Sequence, residues 1–116
     1  MWRMPSDDVV AAHDHELRRG SVVLACLLKL RRPGYGYGLL EALRADGIET
    51  DSSTLYPLLR RLERQGLLTS EWNTDDTRPR KYYETSPAGA RLAEHLVGEW
   101  RDISRVIDRI AEGGHP

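Results

Sequence analysis

The side chains best suited to binding chemistry share one face of a short helix predicted between Asp51 and Gly66. At about 100° per residue, Ser53, Tyr56, Arg60 and Arg64 lie opposite a stripe of leucines, and Arg61 lies at its flank. Guanidinium groups bind phosphate oxygens and the edges of bases, and short Ser53 and Thr54 would let phosphate approach the backbone N–H groups at the helix start. This pattern predicts a face that contacts nucleic acid.

A second basic group follows in a predicted β-hairpin. Residues 67–73 and 80–85 are rich in Thr, Tyr and Trp, as strands are, and turn-forming residues separate them. Tyr82 and Tyr83 are adjacent in the second strand, so one is predicted to point to the core and the other to solvent. Three cations give the hairpin its charge and are predicted to contact DNA: Arg78, Arg80 and Lys81.

The charge of the whole chain argues the other way. Among 116 residues, 17 are Lys or Arg and 18 are Asp or Glu, which gives a net charge of −1 and a pI near 6.4. Nucleic-acid-binding domains usually carry a basic excess. Between Ser53 and Tyr83, however, six basic residues face four acidic ones, so the total does not exclude DNA. Asp75 and Asp76 either shape the hairpin turn and point away from DNA, or weaken this contact.

Two helices are predicted before the basic helix. Residues 1–16 are polar and aperiodic and are interpreted as a flexible arm, after which apolar spacing predicts a helix from Leu17 to about Arg31. Pro33-Gly34 ends it, and a second helix spans about Gly36 to Asp46. One side of this helix is predicted to hold Tyr37, Leu40 and Leu43. Tyr35 and Tyr37 either contact DNA or pack at the helix start, and packing is the favoured prediction. In the third helix Pro57 is expected near the first turn.

The last predicted helix runs over residues 87–112, ahead of a short tail at 113–116. It would be roughly 39 Å long, too long for so small a domain to cover. An uncovered apolar stripe needs a partner, and the simplest is a second copy of the chain. The predicted dimer interface is Leu92, Leu96, Trp100, Ile103, Val106, Ile107 and Ile110.

Other kinds of function find little support. Cys26 lies in an apolar run, which favours a buried, inert thiol, and this run is too short to span a membrane. No signal peptide is evident, so a cytoplasmic protein is expected. His13 and His15 have chelating spacing, but nothing completes a metal site. No catalytic triad or phosphate-binding loop is present, so neither an enzyme nor a cofactor is predicted.

Helix, helix, helix and then hairpin is the order of a winged helix-turn-helix, in which the third helix enters the major groove and the hairpin, or wing, follows the backbone. The predicted fold class is therefore mainly α with a small β-hairpin. Residues 17–86 form the winged helix-turn-helix domain, and residues 87–112 form a long C-terminal dimerisation helix.

The motifs resemble the short subgroup of the PadR-like transcriptional regulators over roughly residues 19–103. Arg19-Gly20 opens the first helix and Tyr35-Gly36-Tyr37 leads into the second. The remaining motifs are Thr54-Leu55-Tyr56-Pro57-Leu58-Leu59-Arg60-Arg61-Leu62-Glu63, Gln65-Gly66-Leu67-Leu68, Arg78-Pro79-Arg80-Lys81-Tyr82-Tyr83 and Thr85-Ser86-Pro87-Ala88-Gly89.

This resemblance implies a homodimeric repressor of a palindromic operator that packs its C-terminal helix against the partner chain. Some members of the short subgroup bind planar aromatic compounds between their subunits, stacked on a Trp of this helix, and Trp100 occupies the matching place here. Dimer packing alone would use the same ring, and Glu99 could line an effector site or form an interface salt bridge. The alternative is a winged-helix protein-interaction module that dimerises without sequence-specific DNA binding.

Overall fold

The computed structural model describes residues 4–75 and 77–113, which form four helices and a small sheet. Helix α1 spans Asp7–Lys29, α2 Gly36–Ala45, α3 Ser52–Arg64 and α4 Pro87–Ala111. Strands β1 (Gly34–Tyr35), β2 (Leu68–Asn73) and β3 (Arg80–Thr85) form an antiparallel sheet in the order β1-β3-β2. The predicted hairpin is therefore present, and β1 adds a two-residue strand too short to leave a periodic pattern in the sequence.

Helix α1 begins ten residues before its predicted start. Ser6 caps it by accepting a hydrogen bond from the Val9 N–H, and Asp7 and Asp8 in the first turn favour the helix dipole. The prediction that the first helix starts at Leu17 is therefore wrong, because residues 7–16 are helical although their side chains are almost all exposed. Residues 1–3 and 114–116, the ends of the predicted arm and tail, lie outside the described residues.

Leucines from every helix except α4 build the core. Leu27 lies in the last turn of α1 and Leu30 caps it, Leu43 comes from α2, and the α3 stripe is buried. The stripe is Leu55, Leu58, Leu59 and Leu62, as predicted. Cys26 is inaccessible, and burial raises the pKa of its thiol to about 12, which fits the predicted inert thiol.

The buried face of α2 differs from the prediction. Gly36, Leu39, Leu40 and Leu43 point inward at helical spacing, whereas Tyr37 is 63% exposed. Tyr37 is rotated about 100° from Gly36, so it falls on the flank of the helix rather than on its core side. The prediction that Tyr37 packs is therefore wrong, while Leu40 and Leu43 lie as expected.

Helix α3 is capped by Asp51. The Asp51 carboxylate accepts a hydrogen bond from the Thr54 N–H at 2.9 Å, so the helix begins at Ser52. Pro57 consequently lies in the second turn and not near the first, where its missing N–H leaves the Ser53 carbonyl without its usual donor. Ser53 is exposed, so water can satisfy that carbonyl.

The start of α4 packs tightly on the chain that follows α3. Ser86 caps α4 through the Gly89 N–H and donates its hydroxyl proton to the Gly66 carbonyl. Beyond Leu96 the helix leaves the core: the overall dimensions are 62 × 32 × 23 Å, and the radius of gyration is 17.5 Å. A compact domain of this length would have a radius of about 13 Å. Half of a long helix therefore projects from the domain.

We expect Gly89→Ala to lower the free energy of unfolding by about 1–3 kcal/mol, because its Cβ would lie 2.1 Å from the Leu67 carbonyl oxygen. Gly98→Ala is the matched control, since nothing lies within 4 Å of its Cβ position. The control should gain up to about 1 kcal/mol from helix propensity. Denaturant unfolding at one fixed protein concentration measures both, and equal stability of the two variants would contradict the close packing.

Candidate nucleic-acid interface

The exposed face of α3 carries the residues predicted to contact DNA. Arg60, Arg61 and Arg64 are exposed, and none of them forms a salt bridge within the described residues. By helical rotation Ser53, Arg60 and Arg64 lie opposite the buried leucines, and Arg61 lies on one flank. The structure therefore brings these guanidinium groups together on one solvent-facing surface, as the sequence predicted.

Tyr56 lies on the other flank of α3 and is half-buried. A Cβ at Gly36 would lie 2.5 Å from Tyr56 Cε1, so the ring rests on the start of α2 and a side chain at Gly36 would displace it. The phenol thus joins α2 to α3 and keeps an accessible edge beside Arg60. Truncating Tyr56 would disturb packing as well as any contact, so removing only its hydroxyl is the cleaner test.

The N-terminus of α3 differs from the arrangement expected for phosphate. The Asp51 carboxylate accepts hydrogen bonds from the Ser53 hydroxyl at 2.6 Å and the Thr54 N–H at 2.9 Å. These bonds, with that of Ser53 first, lower the pKa of Asp51, so the helix start holds a carboxylate at neutral pH. A phosphate would meet this negative charge. The contacts of Ser53 and Thr54 with DNA stay predictions. If they form, they involve the side chains of these residues and not the backbone N–H groups at the start of the helix.

The wing is formed by β2, β3 and the turn between them. Arg78 is exposed in that turn. Arg80 is also exposed, and its guanidinium lies 3.8 Å from the centre of the Tyr35 ring. The Tyr35 hydroxyl accepts a hydrogen bond from Asn73 Nδ2 at 2.7 Å. Strand β1 thereby supports the cation from below, an attachment that the sequence did not predict.

Two tyrosines of β3 divide between the faces of the sheet, as predicted. Tyr83 is buried, while Tyr82 is half-buried and packs edge-on against Tyr35. The Tyr82 hydroxyl donates to the Glu71 carboxylate at 2.8 Å, and this bond raises the pKa of Tyr82. Asp75 donates its backbone N–H to Asn73 Oδ1, so it belongs to a local turn; Asp76 lies outside the described residues.

Lys81 has a partner that the sequence analysis missed. Its ammonium lies 3.1 Å from Glu63 Oε1, and the other oxygen of Glu63 accepts a hydrogen bond from the Ser70 hydroxyl. Helical rotation was the available signal in the sequence, because it places Glu63 on the same flank of α3 as Tyr56. In the sequence Glu63 was counted only as one acid among basic residues, and this contact was therefore not predicted.

The apolar stripe of α4 divides into two parts. Leu92 and Leu96 are half-buried and pack against the core of their own chain. The rest of the predicted dimer interface is between 41% and 61% exposed: Trp100, Ile103, Val106, Ile107 and Ile110. A soluble monomer rarely exposes so continuous an apolar surface.

A groove of about 430 Å³ lies between α1 and α4. Leu24 and Leu28 line one side, and Val97, Trp100 and Arg101 line the other. The predicted effector residue Trp100 therefore borders a cavity, whereas Glu99 is exposed and does not line it. Within the described residues, no helix is long and apolar enough to cross a membrane.

Comparison with known proteins agrees with this architecture. The family described as the Transcriptional regulator PadR-like family matches residues 23–95. The chain belongs to the PadR-like family. A PadR family transcriptional regulator from Eggerthella lenta superposes with a TM-score of 0.87 and 43% identity, over 91% of this chain and 95% of that one. A PadR-like transcription factor from Bacteroides fragilis gives a TM-score of 0.71 and 28% identity, over 85% and 98% of the two chains.

One relative has a curated description. Transcriptional regulator Rv3488 of Mycobacterium tuberculosis is 44% identical over 61 residues, which are 52% of this chain and 57% of the regulator. The chain thus matches little more than half of that protein's length. The predicted family and winged helix-turn-helix fold class are confirmed, and the members of the family compared here are transcriptional regulators rather than enzymes.

Proposed function

We propose that this PadR-like protein is a homodimeric repressor that binds a palindromic operator through α3 and the wing. The observation that carries the proposal is the pair of surfaces on one chain: an exposed arginine face on α3 that forms no salt bridge with a described residue, and the exposed apolar part of α4 beyond Leu96. The first supplies phosphate and base contacts, and the second supplies the two-fold partner. Binding to operator DNA places the protein in the cytoplasm.

Each proposed contact has a role set by its position. Arg60 and Arg64 face the major groove with Ser53, while Tyr56 lies on one flank of this face and Thr54 and Arg61 lie on the other. Arg78 and Arg80 extend the surface along the backbone, with Arg80 held over Tyr35. The local charge surplus is small, so most of the affinity must come from specific contacts made twice by a dimer rather than from nonspecific attraction.

The direct test selects bound duplexes from random-sequence DNA. A two-fold dimer presents two equivalent α3 surfaces, so the enriched sites should be inverted repeats with half-sites about 10 or 20 base pairs apart. Cleavage protection should then show two symmetric patches. Enrichment of a single asymmetric site, or no enrichment, would contradict the proposal and favour the protein-interaction module.

We further propose that a planar aromatic effector stacks on Trp100 and releases the operator. The groove between α1 and α4 supports this proposal, because it borders the ring and is largely apolar. A ligand wedged there would change how α4 pairs with its partner and so change the distance between the two α3 helices. Glu99 could act only from the partner-facing side, because it lies outside the groove.

A fluorescence titration tests the effector. Planar aromatic compounds should quench the intrinsic tryptophan emission saturably in the wild type and not in Trp100→Ala. Trp2 and Trp72 also emit, and Trp72 is 64% exposed, so the variant is the necessary control. The compound that quenches should also weaken operator binding of the wild type alone. Equal quenching in both proteins would show that the compound does not bind at Trp100.

A further inference from the structure

A single carboxylate joins the proposed DNA-reading helix to both strands of the wing. Glu63 on α3 uses one oxygen to accept from the Ser70 hydroxyl of β2 and the other to pair with the Lys81 ammonium of β3, 3.1 Å away. Both hydrogen-bonding oxygens are therefore occupied, and three elements meet at one group. We name Glu63, Ser70 and Lys81 the wing lock.

The wing lock is more sheltered than the other ion pairs of the described residues. The side chains of Lys81 and Glu63 are 29% and 32% exposed, against 41% and 52% for Lys29–Asp46 and 62–73% for the pairs Arg19–Glu16 and Arg105–Asp102. The ammonium also lies 5.3 Å from the centre of the buried Tyr83 ring. These contacts hold the charge on the inner side of the wing. Partial burial makes a charge-assisted contact stronger than one at the open surface.

From this geometry we propose that Glu63 is a positioning residue for DNA binding, which fixes the wing relative to α3, and that Lys81 serves this lock instead of contacting phosphate. The inference rests on the proposed function. A winged helix must engage the groove and the backbone together, and only residues 65–67 separate α3 from β2. Fixing their relative orientation before binding avoids an ordering cost at binding.

The expected effect of removing the Glu63 carboxylate is opposite to the effect expected from net charge alone. Removing an acid near DNA should tighten binding if only net charge mattered. The lock predicts the reverse: Glu63→Gln and Lys81→Met each weaken operator binding by the same factor, and the double variant is no weaker than either. Independent effects would instead multiply to within about twofold. Glu71→Gln is the matched control, because Glu71 bonds Tyr82 within the wing and does not reach α3.

A second double-mutant cycle tests whether Glu63→Gln weakens operator binding by disturbing the contacts of the wing with DNA. Arg78→Ala should lower the slope of log affinity against log salt by about one in the wild type. In the Glu63→Gln background, Arg78→Ala should change this slope much less, because the wing of that variant already contacts DNA poorly. Arg60→Ala should lower operator affinity by the same factor in the wild type and in Glu63→Gln, since α3 itself is intact in both. A merely structural role for Glu63 would reduce both contacts alike.

Nuclear magnetic resonance on the DNA-free dimer tests the lock without an operator. Backbone ¹⁵N order parameters of residues 68–85 should fall in Glu63→Gln and Lys81→Met and stay at wild-type values in Glu71→Gln. Unchanged order parameters, tighter binding by Glu63→Gln, or a Lys81→Met loss that adds to it would each overturn the inference. A wild type without operator-specific binding would instead refute the proposed function, and the order parameters would still report whether the lock exists.

Discussion

Ile103→Glu combined with Ile107→Glu is expected to convert the protein to a monomer and to weaken operator binding by about 10²–10⁴-fold, the range by which linking two binding heads raises affinity. Both side chains are more than half exposed on the part of α4 beyond the core, so the described residues of their own chain do not bury them. In a dimer, each would place a carboxylate in an apolar seam without a partner. The effect should therefore be large.

The measurement is light scattering at micromolar concentration, followed by operator binding. Arg105→Glu is the control, because Arg105 lies on the opposite side of α4 and pairs only with Asp102 in the described residues. The control should stay dimeric, and circular dichroism should show both variants folded. A wild type with the mass of one chain, or a double variant that still dimerises, would contradict the proposed interface.

Arg60→Ala is expected to weaken operator binding by about 1–3 kcal/mol without lowering thermal stability. Its guanidinium is exposed on the face of α3 opposite the leucine stripe and forms no salt bridge in the described residues, so the folded chain does not depend on it. Tyr56→Phe should give a smaller loss, because it keeps the ring packed on Gly36 and removes only the hydroxyl.

Quantitative binding to the selected operator and to duplexes mutated at single positions measures this effect. If Arg60 reads a base, its loss should relax the sequence preference at one position; if it binds phosphate, affinity should fall evenly across duplexes. Arg105→Ala removes the same kind of side chain far from α3 and should bind like the wild type. Unchanged affinity in Arg60→Ala would move the contact surface elsewhere.

Periodicity and turn chemistry predicted most of the fold. Leu55 to Leu62 gave the third helix its buried stripe, Gly66 ended it in the left-handed region with φ 76°, and Pro87 opened α4. The start of α1 was missed because the side chains of its first turns are almost all exposed, so an N-cap and first-turn acids, rather than an apolar pattern, decide it. A single Ser6 is a weak signal in a polar segment.

The sequence predicts which residues of the candidate site are exposed together, but not which side chains contact one another. Composition and helical rotation locate Arg60 and Arg64 on one face, since exposure follows from the position of the leucines. Which cation meets which acid depends on tertiary distance: Lys81 and Glu63 are 18 residues apart, and only the packing of the wing on α3 brings them together. The same holds for Arg80 and Tyr35, which are joined by the unpredicted β1.

Sequence-specific DNA binding by the dimer is measured as equilibrium binding of the wild-type protein to the selected inverted repeat and to a scrambled duplex, over a series of salt concentrations. A dimeric operator-binding regulator should prefer the repeat by about 10³-fold or more, with an affinity for both duplexes that falls steeply as salt rises. Equal affinity for the two duplexes, or no binding to either, would contradict it.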